Sequence, residues 1–236
     1  FRSDGSSKFG KNNRYGYFPS FGAAWNISKE DFFKVDFINS LKLRAGWGKT
    51  GNSEFPSGSA QIRYGFSGSG NGSFNIINNE NEDLKWQADR QFNVGFDMAI
   101  WKNRINITVD YFNKRTTDLL FPTEAAVPGV AGVPRWFNLD GNIDNKGLEA
   151  AVNAAIITKK DISWDFGVNA TFVKNEVSGL NSQINTGGLH GQGITGTTVQ
   201  VIKNGLPINA FFTKRFLGWD KSGPGGTAFA IYEDDG

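Results

Sequence analysis

The amino-acid sequence predicts an all-β chain, one part of an antiparallel transmembrane β-barrel of the outer-membrane type, with short periplasmic turns and long extracellular loops. Three observations predict it. Apolar and polar residues alternate with a period of two over six segments, the connections between those segments alternate between short and long, and Trp and Tyr gather near the segment ends.

The first segment runs from Tyr15 to Trp25, where Tyr15, Tyr17, Pro19, Phe21, Ala23 and Trp25 oppose Gly16, Phe18, Ser20, Gly22 and Ala24. Ser28 to Ser40 is a compact turn in which "KEDFFKVDFI" has room for a helical turn or two. The second strand sets Leu41, Leu43, Ala45 and Trp47 against Lys42, Arg44, Gly46 and Gly48. A third carries Phe92, Val94, Phe96, Met98 and Ile100 on one side and Gln91, Asn93, Gly95, Asp97 and Ala99 on the other. The tight "WKNR" turn leads to the fourth, with Ile105, Ile107, Val109 and Tyr111 against Asn106, Thr108 and Asp110. The fifth sets Leu148, Ala150, Val152, Ala154 and Ile156 against Gly147, Glu149, Ala151 and Asn153, and "ITKKD" turns it into the sixth. There Ile162, Trp164, Phe166, Val168, Ala170 and Phe172 oppose Ser163, Asp165, Gly167, Asn169 and Thr171.

Three long connections, at 51–84, 118–142 and 175–206, are rich in Gly, Asn and Ser and would all emerge at one end. The apolar set would then face lipid, and Gln91, Asn93 and Asp97 a wet or plugged lumen. A soluble sheet with one face on a core also alternates. The aromatics add to the membrane reading: Trp47, Trp86 and Tyr111 fall near the long-loop end, Trp101 and Trp164 near the short-turn end. Eight to ten tilted residues would separate these girdles by roughly 25 Å, about one hydrocarbon thickness.

Composition removes other classes. Twenty-five Lys and Arg against 23 Asp and Glu leave a net charge of +2 without a basic cluster, so nucleic-acid binding has no electrostatic support. The chain has no cysteine and a single histidine, His190, so thiolate chemistry is excluded and little remains for metal or acid/base work. No enzyme activity and no cofactor are expected. No run of about 18 apolar residues exists for a transmembrane helix. "FRSDGSSKFG" has no signal-peptide pattern, and the chain reads as an internal piece of a longer protein.

Five segments, in order, carry a resemblance: "RSDGSSKFGKNNRYGYFPSFGAAWNISKEDFF", "INSLKLRAGWGKTGN", "NEDLKWQADRQFNVGFDMAIWKNRINITVDYFNKRTTDLL", "NIDNKGLEAAVNAAII" and "GLPINAFFTKRFLGWD". Together they resemble the barrel half of SusC/RagA-type TonB-dependent transporters over nearly the whole chain. The resemblance implies a plugged barrel of about 22 strands in the outer membrane of a Bacteroidota-type bacterium. It also implies import of oligosaccharides or peptides, powered by a TonB complex through parts of the protein not present here, with a SusD-like surface lipoprotein over the loop end. Residues 1–236 would then be an internal part of the barrel domain, without plug, TonB-contacting segment or carboxy-terminal strands. A soluble or secreted all-β glycan-binding module is the alternative.

Within the long loops, Tyr64, Phe66, Phe74, Trp136 and Phe137 are the candidates for contact with substrate or partner, because apolar rings facing water need a cover. Packing of the loops on themselves is the other reading. "GQGITG", Gly191 to Gly196, spells a dinucleotide fingerprint but follows no apolar strand and opens no helix. The terminal "YEDDG" reads as an acidic turn before it reads as the start of a calcium loop. Asp97, Asp110, Glu149 and Asp165 share the polar face, where lumen lining is favoured over a hydrolytic pair. The Asn-x-Thr triplets at Asn106 and Asn169 fall inside strands, which argues against glycan attachment.

Overall fold

The computed structural model of the chain describes residues 1–67, 72–124, 133–185, 199–213, 215–220 and 228–233. In chain order the strands are β1 (Arg2–Gly5), β2 (Tyr15–Phe18), β3 (Ser20–Asn26), β4 (Ile38–Asn52), β5 (Arg63–Ser67), β6 (Ser73–Asn78), β7 (Gln87–Ile100) and β8 (Ile105–Glu124). They continue with β9 (Pro134–Thr158), β10 (Ser163–Ser178), β11 (Ile184–Asn185), β12 (Gln200–Ile202), β13 (Ala210–Phe211), β14 (Phe216–Asp220) and β15 (Phe229–Tyr232).

Six of these form one antiparallel sheet in the order β10-β9-β8-β7-β4-β3. Neighbours in space are neighbours in sequence except where the β5–β6 hairpin is inserted between β4 and β7. Among the described residues neither outer strand has a second partner, so the sheet is an arc of barrel wall and not a closed barrel. Its register places Ala45, Val94, Tyr111, Leu148 and Phe172 in one cross-strand row. Arg44, Gly95, Asp110, Glu149 and Thr171 make the adjacent row, on the opposite face. Both faces of the period-two pattern therefore run unbroken across the wall.

The turn between β7 and β8 is tight because Trp101, Lys102 and Asn103 all take the left-handed region, with φ of 51°, 58° and 62°. It is tied to the segment before β4, the Trp101 N–H donating to Phe37 O at 3.0 Å and the Asn103 N–H to Asn39 Oδ1 at 3.1 Å.

Among the described residues two hydrophobic cores sit at the long-loop end, where they build a crown on the extended ends of β8, β9 and β10. One gathers Leu119, Phe121, Leu139, Ile143, Val177, Leu180 and Ile202; the other Phe9, Phe55, Ala60, Leu84 and Leu120, with Trp86 and Trp136 packed against it. Leu119 and Leu120, adjacent on β8, serve different cores, as alternation on a strand requires.

Four details differ from the sequence expectation. The segment from Tyr15 to Trp25 is two strands, because Pro19 has no N–H to donate to a ladder; β2 pairs with β1, and β3 with β4. Between β3 and β4 only a single 3₁₀ turn forms, at Ile27–Lys29. The 118–142 connection is largely strand: β8 runs to Glu124, β9 begins at Pro134, and the ladder continues past a bulge at Thr117/Leu119 where Asp118 has φ of 55°. Trp86 is not a membrane-girdle residue; it packs 4.6 Å from the Phe9 ring and 5.5 Å from the Phe18 ring.

Candidate functional site

The two faces of the wall have opposite chemistry. On the outward face large apolar side chains stand uncovered: Phe92 is 44% exposed, Val94 41%, Leu148 42% and Phe172 69%. A band of this size has a cost in water and none in hydrocarbon. On the inward face, Arg44 binds Asp97 through Nε at 2.8 Å and Nη2 at 3.0 Å, and reaches Asp110 at 2.9 Å. The Thr108 hydroxyl adds a bond to Asp97 at 3.2 Å. Gly95 stands between these groups because a Cβ there would collide with Asp110 Oδ1 and the Val109 carbonyl. One guanidinium thus bridges both carboxylates across β4, β7 and β8 and offsets one of their two charges. Both carboxylates are engaged in ion pairs, which suits a polar lining.

Where the wall meets the crown, an inward cavity of about 340 Å³ opens. Its polar lining includes Glu54, Gln87, Asp89, Lys114, Asn145 and Asn175. Asp89 accepts from the Thr116 hydroxyl and pairs with Lys114 at 2.9 Å. Asn175 donates to Asn145 at 2.6 Å and accepts the Ile208 N–H at 2.6 Å. Carboxylate, ammonium and amide groups in one cavity offer donors and acceptors together, which suits a ligand of hydroxyls or amides. These residues carry the same period-two pattern as the wall, and only the register shows that they converge. At the same level on the outward face, Lys174 pairs with Glu176 at 2.6 Å and Arg115 with Asp144 at 2.7 Å.

The five loop aromatics do not form one site. Tyr64, Phe66 and Phe74 stand exposed on the β5–β6 hairpin, with Phe66 and Phe74 opposite one another and 5.5 Å between ring centroids. Trp136 instead packs into the crown 5.7 Å from Phe55, and Phe137 lies 6.0 Å from Phe121 at the other core. For those two, packing of the loops on themselves describes the geometry. "GQGITG" and His190 lie outside the described residues, as do the last three residues of "YEDDG"; Glu233 faces Arg215 at 3.9 Å. The described residues contain no group of three or more metal-ligating side chains.

An arc with a lipid face, a charge-compensated inner face and a crown of long loops agrees with the family matched over residues 1–221, described as TonB dependent receptor-like, beta-barrel. The chain belongs to that family. Among curated relatives, TonB-dependent receptor P3 of Formosa agariphila is 32% identical over 99% of this chain and 24% of its own length. TonB-dependent receptor SusC of Bacteroides thetaiotaomicron is 32% identical over 94% of this chain and 23% of its own. In the solved structure of the RagAB peptide transporter, one chain superposes with a TM-score of 0.79 at 25% identity, covering 97% of this chain and 26% of that one. This receptor chain therefore spans about a quarter of the length of the relatives it matches. Its wall is that of a SusC/RagA-type outer-membrane barrel, and the relatives are receptors and transporters, not enzymes.

Proposed function

We propose that this chain forms part of the wall and outer loops of a SusC-like transporter that imports oligosaccharides or peptides across the outer membrane of a Bacteroidota-type bacterium, without catalysing a reaction. The observation that carries the proposal is the polar, charge-compensated inner face leading up to a cavity at the loop end, on a wall whose other face is uncovered and apolar. Likeness to SusC and to the RagAB peptide transporter supports it. Energy would come from a TonB complex acting through the rest of the receptor. A barrel filled by a plug does not conduct passively, so uptake of the native substrate by the full-length receptor is expected to collapse in cells lacking every TonB homologue. Undiminished import in such cells would rule the mechanism out.

The proposed partner is a SusD-like surface lipoprotein seated on the crown. The β5–β6 hairpin supports this reading, since Tyr64, Phe66 and Phe74 are 59%, 63% and 74% exposed on a two-stranded arm that buries little of its own surface. Affinity purification of the intact receptor is expected to recover the lipoprotein, with yield falling when the three are changed together to Ser. Recovery of no lipoprotein with an intact barrel would reject the partner.

A further inference from the structure

The outward face ends in charge at the loop end. Its last apolar row includes Trp47 and Phe92 and continues across the sheet to Lys146 and Lys174. The next row reads Lys49, Arg90, Arg115, Asp144 and Glu176. All stand on the lipid-facing side, because each lies an even number of residues from the apolar band on the same unbroken strand. Asp144 pairs with Arg115 at 2.7 Å and Glu176 with Lys174 at 2.6 Å. Among the described residues Lys49, Arg90 and Lys146 make no ion pair, so five cations against two carboxylates leave this belt at +3. It spans five strands, roughly 20 Å of membrane perimeter.

Directly beneath the belt an open groove of about 390 Å³ runs over Tyr111, Leu148 and Phe172, with Lys146 and Lys174 on its rim. An apolar trough capped by two ammonium groups has the polarity of an amphiphile with an anionic head. Depth selects the source. The groove belongs to the apolar band and the cations stand one row above it, toward the long loops, the side on which long basic side chains reach lipid head groups.

We propose that this face is a binding site for a phosphorylated glycolipid of the outer leaflet, one acyl chain lying in the Tyr111–Leu148–Phe172 groove and its phosphate held by Lys146 and Lys174, with Arg90, two strands from Lys146, adding positive charge to the same belt. Lipid bound here would brace β7 to β10 from outside. The site is independent of what the receptor imports.

The test uses the full-length receptor in a zwitterionic detergent, with bisphosphorylated lipid A, its dephosphorylated form and inorganic phosphate as probes. Binding is read by native mass spectrometry and by the shift in thermal unfolding. R90Q/K146Q/K174Q is compared with K159Q/K160Q, which removes two exposed lysines from the opposite end of the wall. Bisphosphorylated lipid A is expected to bind and stabilise the parent and K159Q/K160Q alike, and to bind the triple variant on the order of ten- to hundred-fold more weakly. Equal binding by the triple variant overturns the site. Equal binding of dephosphorylated lipid A overturns the role of the cations, and an equal shift with inorganic phosphate alone overturns the lipid. If the triple variant fails to assemble, the parent decides: its preference for the phosphorylated form must shrink between 0.05 and 0.5 M salt, roughly a threefold change in Debye length, and an unchanged preference rejects the proposal.

Discussion

Val94→Lys is expected to cost the assembled barrel about 2 to 4 kcal/mol, whereas Asn93→Lys, one residue away, costs much less. Val94 stands in the apolar row with Ala45, Tyr111 and Leu148, is 41% exposed, and has only lipid to meet. An ammonium there enters the apolar band one same-face row below Lys146 and Lys174, so the cost falls below that range the nearer the row stands to the interface. Asn93 belongs to the inner face, opposite Gly46 and Phe112, where water or polar groups accept a charge. Damage by Lys at Val94 would also follow if the face were packed on a protein core, so two further substitutions separate the readings. Val94→Leu and Phe96→Leu are expected to be nearly silent, since a fluid conforms to shape, while a packed core penalises such changes by about 1 kcal/mol or more. The measurement is heat-modifiable assembly of the full-length receptor in outer-membrane fractions. Equal tolerance of Lys at both positions, or strong sensitivity to the Leu changes, would mean that this face does not meet lipid.

Leu120→Ala is expected to cost about 2 to 5 kcal/mol, but in a different part of the molecule. Leu120 is fully buried in the cluster of Phe9, Phe55, Ala60 and Leu84, which ties the chain's first residues and the 51–84 connection to the extended end of β8. Removing its isobutyl group leaves a cavity that rings on either side are too rigid to fill. The crown should loosen, seen as faster amide exchange and easier proteolysis around residues 55–60 and 84–86, while the heat-modifiable barrel persists because that core meets β8 only beyond the bulge at Thr117/Leu119. Leu120→Met, which conserves volume, should cost less than about 1.5 kcal/mol. A silent Leu120→Ala, or one that abolishes barrel assembly as Val94→Lys does, would show that the crown core is not stabilised independently of the wall.

The wall was legible from its side chains because membrane strands are specified by a local rule. Each residue answers to lipid or to lumen, the period is two, and from Leu41 to Lys49, Phe92 to Ile100 and Leu148 to Ile156 the alternation alone assigns the face. The cavity at the loop end was not legible, since Asp89, Lys114 and Asn145 continue the same alternation and nothing local distinguishes a lining residue from any other polar position. The loop aromatics were divided only by contacts. Trp136 and Tyr64 occupy equally polar surroundings in sequence, yet one finds Phe55 and the other finds solvent.

By itself the sequence determined that the chain is β, which face of each membrane strand is apolar, where the tight turns lie, and which family it resembles. The first three rest on spacing within ten or so residues, the resemblance on five segments spread over the chain. Only the tertiary structure decided that β8 and β9 continue past the bulge at Thr117/Leu119 into the crown, that Trp86, Trp136 and Phe137 pack against crown cores, that one arginine bridges Asp97 and Asp110, and that five cations from five strands align above the apolar band. Each depends on residues tens of positions apart meeting through strand register, and register is a property of pairs of strands.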